Sequence, residues 1–399
     1  MSRYRLQPTP AQEAALAGHC RHARYVWNLA VEQHSFWWPG RGGAPGFAAQ
    51  CRRLTEARAA CPWLADGSVI VQQQALKDFA QAMANFFGGT HKRPTWRKRD
   101  RNEGFRIVAV KAEDVRRLSR HVGEVRVPKV GWVRFRWSRP VPAGVKSYRI
   151  TRDAAGRRHV AFAAIPRPIP APGNGEVVGV DRGVVVSAAL STGELLTVAP
   201  LRQTEQKRLV RLERRLARAK PGSARRAKAK AALARLKARR KDRRKDWVEK
   251  TSTDLARRFD VIAVEDLKIA AMTRSARGTA EKPGRGVRQK AGLNRGILAN
   301  GWGLLVTRLE DKAPGRVIRV DPAFTSQRCS ACGFVDRRAR ESQARFRCRS
   351  CAHAGHAGHA DVNAARNIAH AAGHAVAARE GPRVTGPVHR EPHPALLIA

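Results

Sequence analysis

Two apolar runs that end on a carboxylate constrain this chain more than any other feature. Val177-Val178-Gly179-Val180-Asp181 and Val261-Ile262-Ala263-Val264-Glu265 hold no polar residue before their last position. A run without alternation reads as a strand buried on both faces. A third stretch, Ala360-Asp361-Val362-Asn363-Ala364-Ala365-Arg366-Asn367-Ile368, sets another carboxylate at the head of an Ala-rich helical run. If Asp181, Glu265 and Asp361 converge, they form an acidic site for a divalent ion, because hard ions such as Mg²⁺ choose oxygen ligands. Asp266 should point to the opposite face of its strand from Glu265. Each carboxylate alone says little, since Asp and Glu end strands everywhere; the set and its order carry the reading.

That acidic site would lie in a very basic protein. The 399 residues carry 78 Lys and Arg against 32 Asp and Glu, a formal charge of +46. A compact chain with this surplus repels itself unless a polyanion neutralises it. Nucleic acid is the expected partner, and an anionic membrane surface is the rival. An acidic metal site in a basic protein points to a nuclease. There is room for two or three domains. No apolar run reaches transmembrane length and no signal peptide is visible, so the expected location is cytoplasmic, with nucleoid association when DNA is bound.

Cys329-Ser330-Ala331-Cys332, fifteen residues, then Cys348-Arg349-Ser350-Cys351 is the spacing of a four-thiolate zinc ribbon. Each C-x-x-C supplies two thiolates from one tight turn, and Gly333 suits such a turn. His353, His356 and His359 follow at three-residue spacing; four thiolates already close the site, so these read as solvated or as neighbours of the ligands. Cys20, Cys51 and Cys61 are scattered. An odd total of seven argues against a disulfide framework.

Taken in order, Tyr4-Arg5-Leu6-Gln7 alternates like a strand. Thr9-Pro10-x-Gln12 then opens a helix, and a loop follows at Pro39-Gly40-Arg41-Gly42-Gly43. A helix is expected from Ser68 to Phe87, stopped by Gly88-Gly89. Arg93, Trp96, Arg97 and Lys98 lie in a basic stretch with an embedded aromatic, which suits phosphate contact and base stacking; Trp96 could equally be a core anchor. From Phe105 to Phe162 short alternating segments suggest a small barrel or sandwich. In Val133-Arg134-Phe135-Arg136-Trp137 the faces separate into apolar and Arg, so Arg134 and Arg136 are candidate phosphate contacts. Ile165 to Gly175 is a Pro-rich connector. Residues 203–259 read as basic helix broken at Pro221-Gly222-Ser223, a nucleic-acid rail or a solvated hairpin. Ala270 to Ala291 reads as mobile, and the stretch from Gly381 as disordered.

The Asp181 strand, followed by Arg182-Gly183 and a hairpin, resembles the first strand of the RNase H-like, RuvC-type nucleases. Most of the chain resembles the TnpB family of insertion-sequence-encoded RNA-guided nucleases, relatives of the type V CRISPR effectors. The residues carrying this are Tyr4-Arg5-Leu6-x-Pro8-Thr9-x-x-Gln12, Arg24-Tyr25-x-Trp27-Asn28, Pro94-x-Trp96-Arg97-Lys98, Gly179-x-Asp181-x-Gly183, Glu265-Asp266-Leu267, Thr325-Ser326-Gln327-x-Cys329-x-x-Cys332-Gly333, Cys348-x-x-Cys351 and Asp361-x-Asn363-Ala364-Ala365-x-Asn367-Ile368. The stretch from Cys351 to Asp361 departs from the family, being a few residues longer and lacking a Gly after Cys351.

The resemblance implies an α/β multidomain protein: an RNase H-like (RuvC) mixed sheet with an inserted four-Cys zinc ribbon, plus an N-terminal β-barrel with inserted helices. The boundaries expected are a wedge-like barrel at 1–165 with a helical recognition region at about 11–100, a linker at 166–175, and a nuclease domain at 176–328 containing the hairpin 203–259. The ribbon follows at 329–351, a C-terminal RuvC helix at 352–378 and a tail at 379–399. It further implies guide RNA and target DNA as partners, a structural Zn²⁺ on Cys329, Cys332, Cys348 and Cys351, and catalytic Mg²⁺ or Mn²⁺ on Asp181, Glu265 and Asp361. A nuclease-dead RNA-guided repressor, a DNA transposase and a non-catalytic zinc-ribbon RNA binder are the alternatives. The first would lack carboxylates, the second needs a nucleophilic Tyr with an HUH pair, and the third leaves the carboxylate strands without a use.

Overall fold

Thr9 opens the first long helix as its sequence requires: its hydroxyl accepts from the Gln12 N–H while the Gln12 side chain accepts from the Thr9 N–H. The structure, a computed structural model, describes residues 2–36, 43–164, 167–342, 344–351 and 357–379. Most of the loop expected at Pro39 to Gly43, together with His353, His356 and the tail, lies outside them. Two units are distinct: Met1–Pro166 with Leu201–Lys241, and Arg167–Pro200 with Asp242–Ala399. No helix among the described residues is long and apolar enough to cross a membrane.

The first unit runs β1 (Ser2–Arg5), α1 (Pro10–Ser35), α2 (Phe47–Ala60), α3 (Pro62–Asp66), α4 (Val69–Phe87), then β2 (Gly104–Val108), β3 (Val115–Arg117), β4 (Val122–Val127), β5 (Gly131–Arg136), β6 (Ser147–Arg152) and β7 (Arg158–Ala163). Its strands form two antiparallel sheets, β1-β7-β6-β2 and β3-β4-β5, joined by a bridge between Leu6 and Phe135. Tyr4, Phe135 and Phe162 meet edge to face where the sheets join. The alternation in β5 is realised: Val133 and Phe135 are buried, Arg134 and Arg136 exposed. β3 has only three residues and no periodicity to betray it. Arg158, buried in this core, is compensated by Glu13 at 2.9 Å and the Cys20 sulfur at 3.2 Å.

The basic stretch forms α5 (Gln203–Arg218) and α6 (Ala224–Arg258). Ser223 caps α6 by accepting from the Arg226 N–H, the role expected of it. Leu201, Leu212, Leu233 and Leu236 bury one another, so the hairpin has a thin apolar seam of its own. As far as Lys241 it groups with the first unit.

The second unit is built on a five-stranded sheet with order β10-β9-β8-β11-β12. Its strands are β8 (Val177–Asp181), β9 (Ala188–Leu190), β10 (Leu195–Leu196), β11 (Val261–Glu265) and β12 (Val317–Val320). β8, β11 and β12 run parallel, while β9 and β10 are antiparallel. Both apolar runs are thus central strands, buried from Val178 and from Ile262 onward, while Val177 at the start of β8 is exposed. One face carries Val178, Val180, Ile262 and Val264 against Val248, Leu255 and Phe259 of α6, and Leu305 and Leu309 of α9 (Trp302–Lys312). The other carries Ala263, Ile318 and Val320 against Ile368 and Ala372 of α10 (Ala360–Arg379). Between β11 and α9 lie α7 (Ile269–Met272) and α8 (Val287–Asn300). The Gly-rich stretch 270–291 is therefore more ordered than its composition implies. Gly278 bridges Pro283, and Asn294 and Lys290 of α8 donate to the carbonyls that end α7. A small sheet of β13 (Arg345–Arg347) and β14 (Ala357–His359) leads into α10.

Candidate active site

The pleat of the central strands decides where the carboxylates point. Val180 pairs with Val264, so Asp181 and Glu265 lie one residue further at the ends of adjacent parallel strands. With period two, Asp181 shares a face with Gly179, and Glu265 with Ala263. That is the face covered by α10, whose first turn carries Asp361. A Cβ on Gly179 would lie 1.9 Å from the Ala365 carbonyl oxygen, which measures how closely α10 lies on β8.

Glu265 and Asp361 are close enough to Asp181 to perturb it. Burial, then the charges of Glu265 and Asp361, push the Asp181 carboxyl up to about 7. Burial also raises Glu265, opposed by a hydrogen bond from the Thr325 hydroxyl at 2.7 Å and by the charge of Arg182. Two guanidiniums answer this charge. Arg182, 4% exposed, donates to the Glu265 carbonyl, and its Nε has no partner. Arg340 contacts the Asp361 carboxylate at 2.7 Å. The oxygens are not gathered into a tight cluster: among the described residues, the only group of three or more His, Cys, Asp or Glu whose ligand atoms all lie within 4.8 Å is formed by the four cysteines. Asp266 points away, to Arg319 at 3.0 Å.

Cys329, Cys332, Cys348 and Cys351 form that group, with Cys329–Cys351 and Cys332–Cys348 sulfurs 3.6 Å apart. This is far beyond a disulfide, and near the ~3.8 Å edge of a tetrahedron with ~2.3 Å metal–sulfur bonds. Gly333 takes the left-handed conformation the first turn needs, at φ 77°. The ribbon is tied to α10 by two asparagines four residues apart. Asn363 accepts from the Ser330 N–H and donates to the Arg328 carbonyl, while Asn367 donates to the Thr325 and Arg328 carbonyls. His359 serves α10 instead of the thiolates: its Nδ1 accepts from the Asp361 N–H at 3.2 Å.

In the first unit the candidate nucleic-acid residues divide. Arg97 is a strut: its guanidinium lies 3.7 Å over the Trp27 ring, its backbone pairs with the Asn28 side chain, and burial lowers its pKa to about 10. Trp27, not Trp96, is the core anchor, donating to the Thr95 carbonyl; Trp96 is 51% exposed. Lys98 and Arg136 are exposed, Arg93 reaches the His34 carbonyl, and Arg134 lies 3.4 Å from Glu124.

Sequence reading named the carboxylates and thiolates but not Arg182, Arg340, Thr325, Asn363 or Asn367 as parts of the site. Asn363 and Asn367 had a legible signal, two amides at helical spacing beside a carboxylate. Arg182 and Arg340 had none beyond their charge.

The pattern of a family described as a probable transposase (OrfB_IS605) matches residues 159–276. A Cas12f1-like TNB domain matches 302–368, and the helix-turn-helix domain of the same OrfB proteins matches 2–42. Within the latter span the described residues form β1 and the single continuous helix α1. The "Putative RNA-guided DNA endonuclease InsQ" of Escherichia coli (strain K12) is 34% identical over 94% of this chain and 92% of its own length. A "Putative RNA-guided DNA endonuclease" of Streptomyces pristinaespiralis is 31% identical over 96% and 91%. Among solved structures, a Cas12f1–sgRNA–target DNA complex matches at TM-score 0.52 and 13% identity, covering 90% of this chain and 81% of that one. At that identity the likeness is one of fold, mixed α/β.

Proposed function

The chain belongs to the TnpB-type, IS605 OrfB family of RNA-guided DNA endonucleases, and on that premise we propose that Asp181, Glu265 and Asp361 are its cleavage centre. The protein is a metal-dependent DNA endonuclease directed by a guide RNA and encoded by a transposable element. Base pairing between guide and target supplies the sequence specificity, and the protein reads a short motif beside the target. The observation that carries the assignment is the convergence of half-buried Asp181 with buried Glu265 and Asp361 on one side of the sheet, where burial and then the two neighbouring charges push the Asp181 carboxyl up to about 7.

The donor set fits Mg²⁺ or Mn²⁺: all three are hard oxygen ligands, and their mutual repulsion is what a divalent cation relieves. Bound divalent ions would activate water and stabilise the leaving oxygen of the scissile phosphate. The chain's part is to hold the donors. β8 and β11 fix Asp181 and Glu265 in register, Thr325 orients Glu265, Arg182 pins the carbonyl at the end of β11, and the first turn of α10 presents Asp361. The mixed sheet with α10 across the Asp181 face supports an RNase H-like (RuvC) reading of the second unit, and the two joined antiparallel sheets support a wedge-like barrel in the first.

The four thiolates suit a structural zinc, since nothing in the set leaves an open coordination position. Cys329→Ser should drop bound zinc from about one per chain to below half and, by loosening the Asn363 and Asn367 contacts, lower the thermal midpoint; metal analysis of the purified variant reads this, and full occupancy would contradict the ribbon. Arg93, Trp96, Lys98, Arg134 and Arg136 are the proposed nucleic-acid contacts. Arg97 belongs with them as a proposed contact, its guanidinium set over the Trp27 ring.

Sequencing RNA that copurifies with the protein tests the guide. A discrete species from the end of the element supports it; random fragments of cellular RNA would refute it.

A further inference from the structure

The charge balance of the carboxylate site contains a feature that the metal reading does not use. Arg340 is carried by the ribbon, not by the sheet. Its backbone bridges Phe346, and its neighbour Ala339 is buried among Cys329, Phe346, Cys348 and Ala360. The Ala339 carbonyl also accepts from the Arg347 N–H at 2.7 Å. The root of this side chain is therefore set by the part of the ribbon that holds the thiolates. From there the guanidinium reaches the Asp361 carboxylate at 2.7 Å, where the Asp361 side chain is only 6% exposed. Its positive charge is also felt at Asp181.

A guanidinium and a divalent ion compete for the same thing, the lone pairs of a carboxylate oxygen. They also repel each other at short range in a site from which water is largely excluded. Arg340 holds Oδ1 of Asp361, so a hard ion bound by all three carboxylates must either share that carboxylate with a guanidinium, through Oδ2, or displace it. Arg182 adds its charge to the site but occupies no carboxylate oxygen, because it donates to the Glu265 backbone carbonyl.

We propose that Arg340 is a positioning residue that stands in for the cation on Asp361 and competes with the metal for that carboxylate. The inference rests on the assignment of Asp181, Glu265 and Asp361 as metal ligands. It makes the ribbon more than a staple: its placement sets how readily the third ligand is released. A ribbon that shifts on engaging nucleic acid would free Asp361, whereas one that stays put would hold the site in its metal-poor state.

The test is Mn²⁺ binding to the purified protein with its copurified RNA, followed by electron paramagnetic resonance and by thermal midpoint, in wild type, Arg340→Gln, Arg340→Lys and Asp181→Ala. Arg340→Gln removes the competing charge and should lower the Mn²⁺ concentration for half-saturation by about tenfold. Arg340→Lys keeps the charge and should stay within about threefold of wild type. A purely structural ion pair predicts the opposite, weaker binding in Arg340→Gln. If Arg340→Gln folds and its half-saturation is unchanged or raised, the proposal is overturned; if it does not fold, a Lys variant binding Mn²⁺ tenfold more tightly or more weakly than wild type overturns it. Absence in wild type of any Mn²⁺ signal that Asp181→Ala removes would overturn the metal assignment itself, and the proposal with it.

Discussion

Asp181→Ala and Glu265→Ala should each reduce target cleavage by at least about 10³-fold, equivalent to roughly 4 kcal/mol of transition-state stabilisation. Binding of RNA and of target DNA should stay within about twofold of wild type. The two effects separate because the carboxylates belong to the second unit, whereas the cationic groups proposed to hold phosphates belong to the first. Neither substitution removes apolar packing: Val180 and Val264, which precede these residues, face the other layer. Asp181→Ala removes a carboxyl that burial and its neighbours' charges disfavour, so its folded state should not weaken, whereas Glu265→Ala also gives up the Thr325 hydrogen bond. Gel-shift and plasmid-cleavage assays on the same preparations distinguish the outcomes. Asp361→Ala carries a second consequence, since it leaves Arg340 without the carboxylate it holds.

Gly179→Ala should be as damaging to cleavage by a different route. The added methyl would lie 1.9 Å from the Ala365 carbonyl oxygen and 2.6 Å from the Ala369 nitrogen. Both are backbone atoms of a helix, so no side chain can turn away, and α10 must lift from β8. A cost of about 3 kcal/mol or more follows from overpacking of this kind. Lifting α10 carries Asp361 away from Asp181 and slackens the asparagine contacts to the ribbon. Differential scanning fluorimetry should show a lower midpoint, and cleavage should fall with it. Gly18→Ala is the control. It sits within α1 with nothing nearer than the Arg21 side chain at 3.8 Å, so replacing a helical glycine there should be neutral or mildly stabilising. A Gly179→Ala protein with wild-type midpoint and activity would mean that α10 does not lie on β8 as described.

These two predictions also mark what could be read from the sequence. The strands ending at Asp181 and Glu265 were legible because burial on both faces leaves no alternation, and the ribbon because thiolate spacing is set by the turn. The capping box at Thr9 and the break at Pro221-Gly222-Ser223 are local chemistry, and local chemistry survives into the fold. What was not legible depends on residues distant in sequence. Gly179 looked like one motif glycine among many, but its reason is a helix nearly two hundred residues later. Arg340 lay in a run of arginines, and nothing nearby set it apart from those that face solvent. The support of Arg97 was not legible either, because Trp27 and Asn28, on another element, hold both its guanidinium and its backbone. In a chain with 78 Lys and Arg, charge alone cannot sort contacts from supports.

The central claim is that one carboxylate site cuts DNA under the direction of a bound RNA. Its most direct test is cleavage of a plasmid by the purified ribonucleoprotein in Mg²⁺, with the guide segment of the RNA reprogrammed to a new sequence. The cut should follow the new guide and disappear in Asp181→Ala while that variant still binds the plasmid. Cleavage that ignores the guide, or that persists at the wild-type rate in Asp181→Ala and Glu265→Ala, would contradict it.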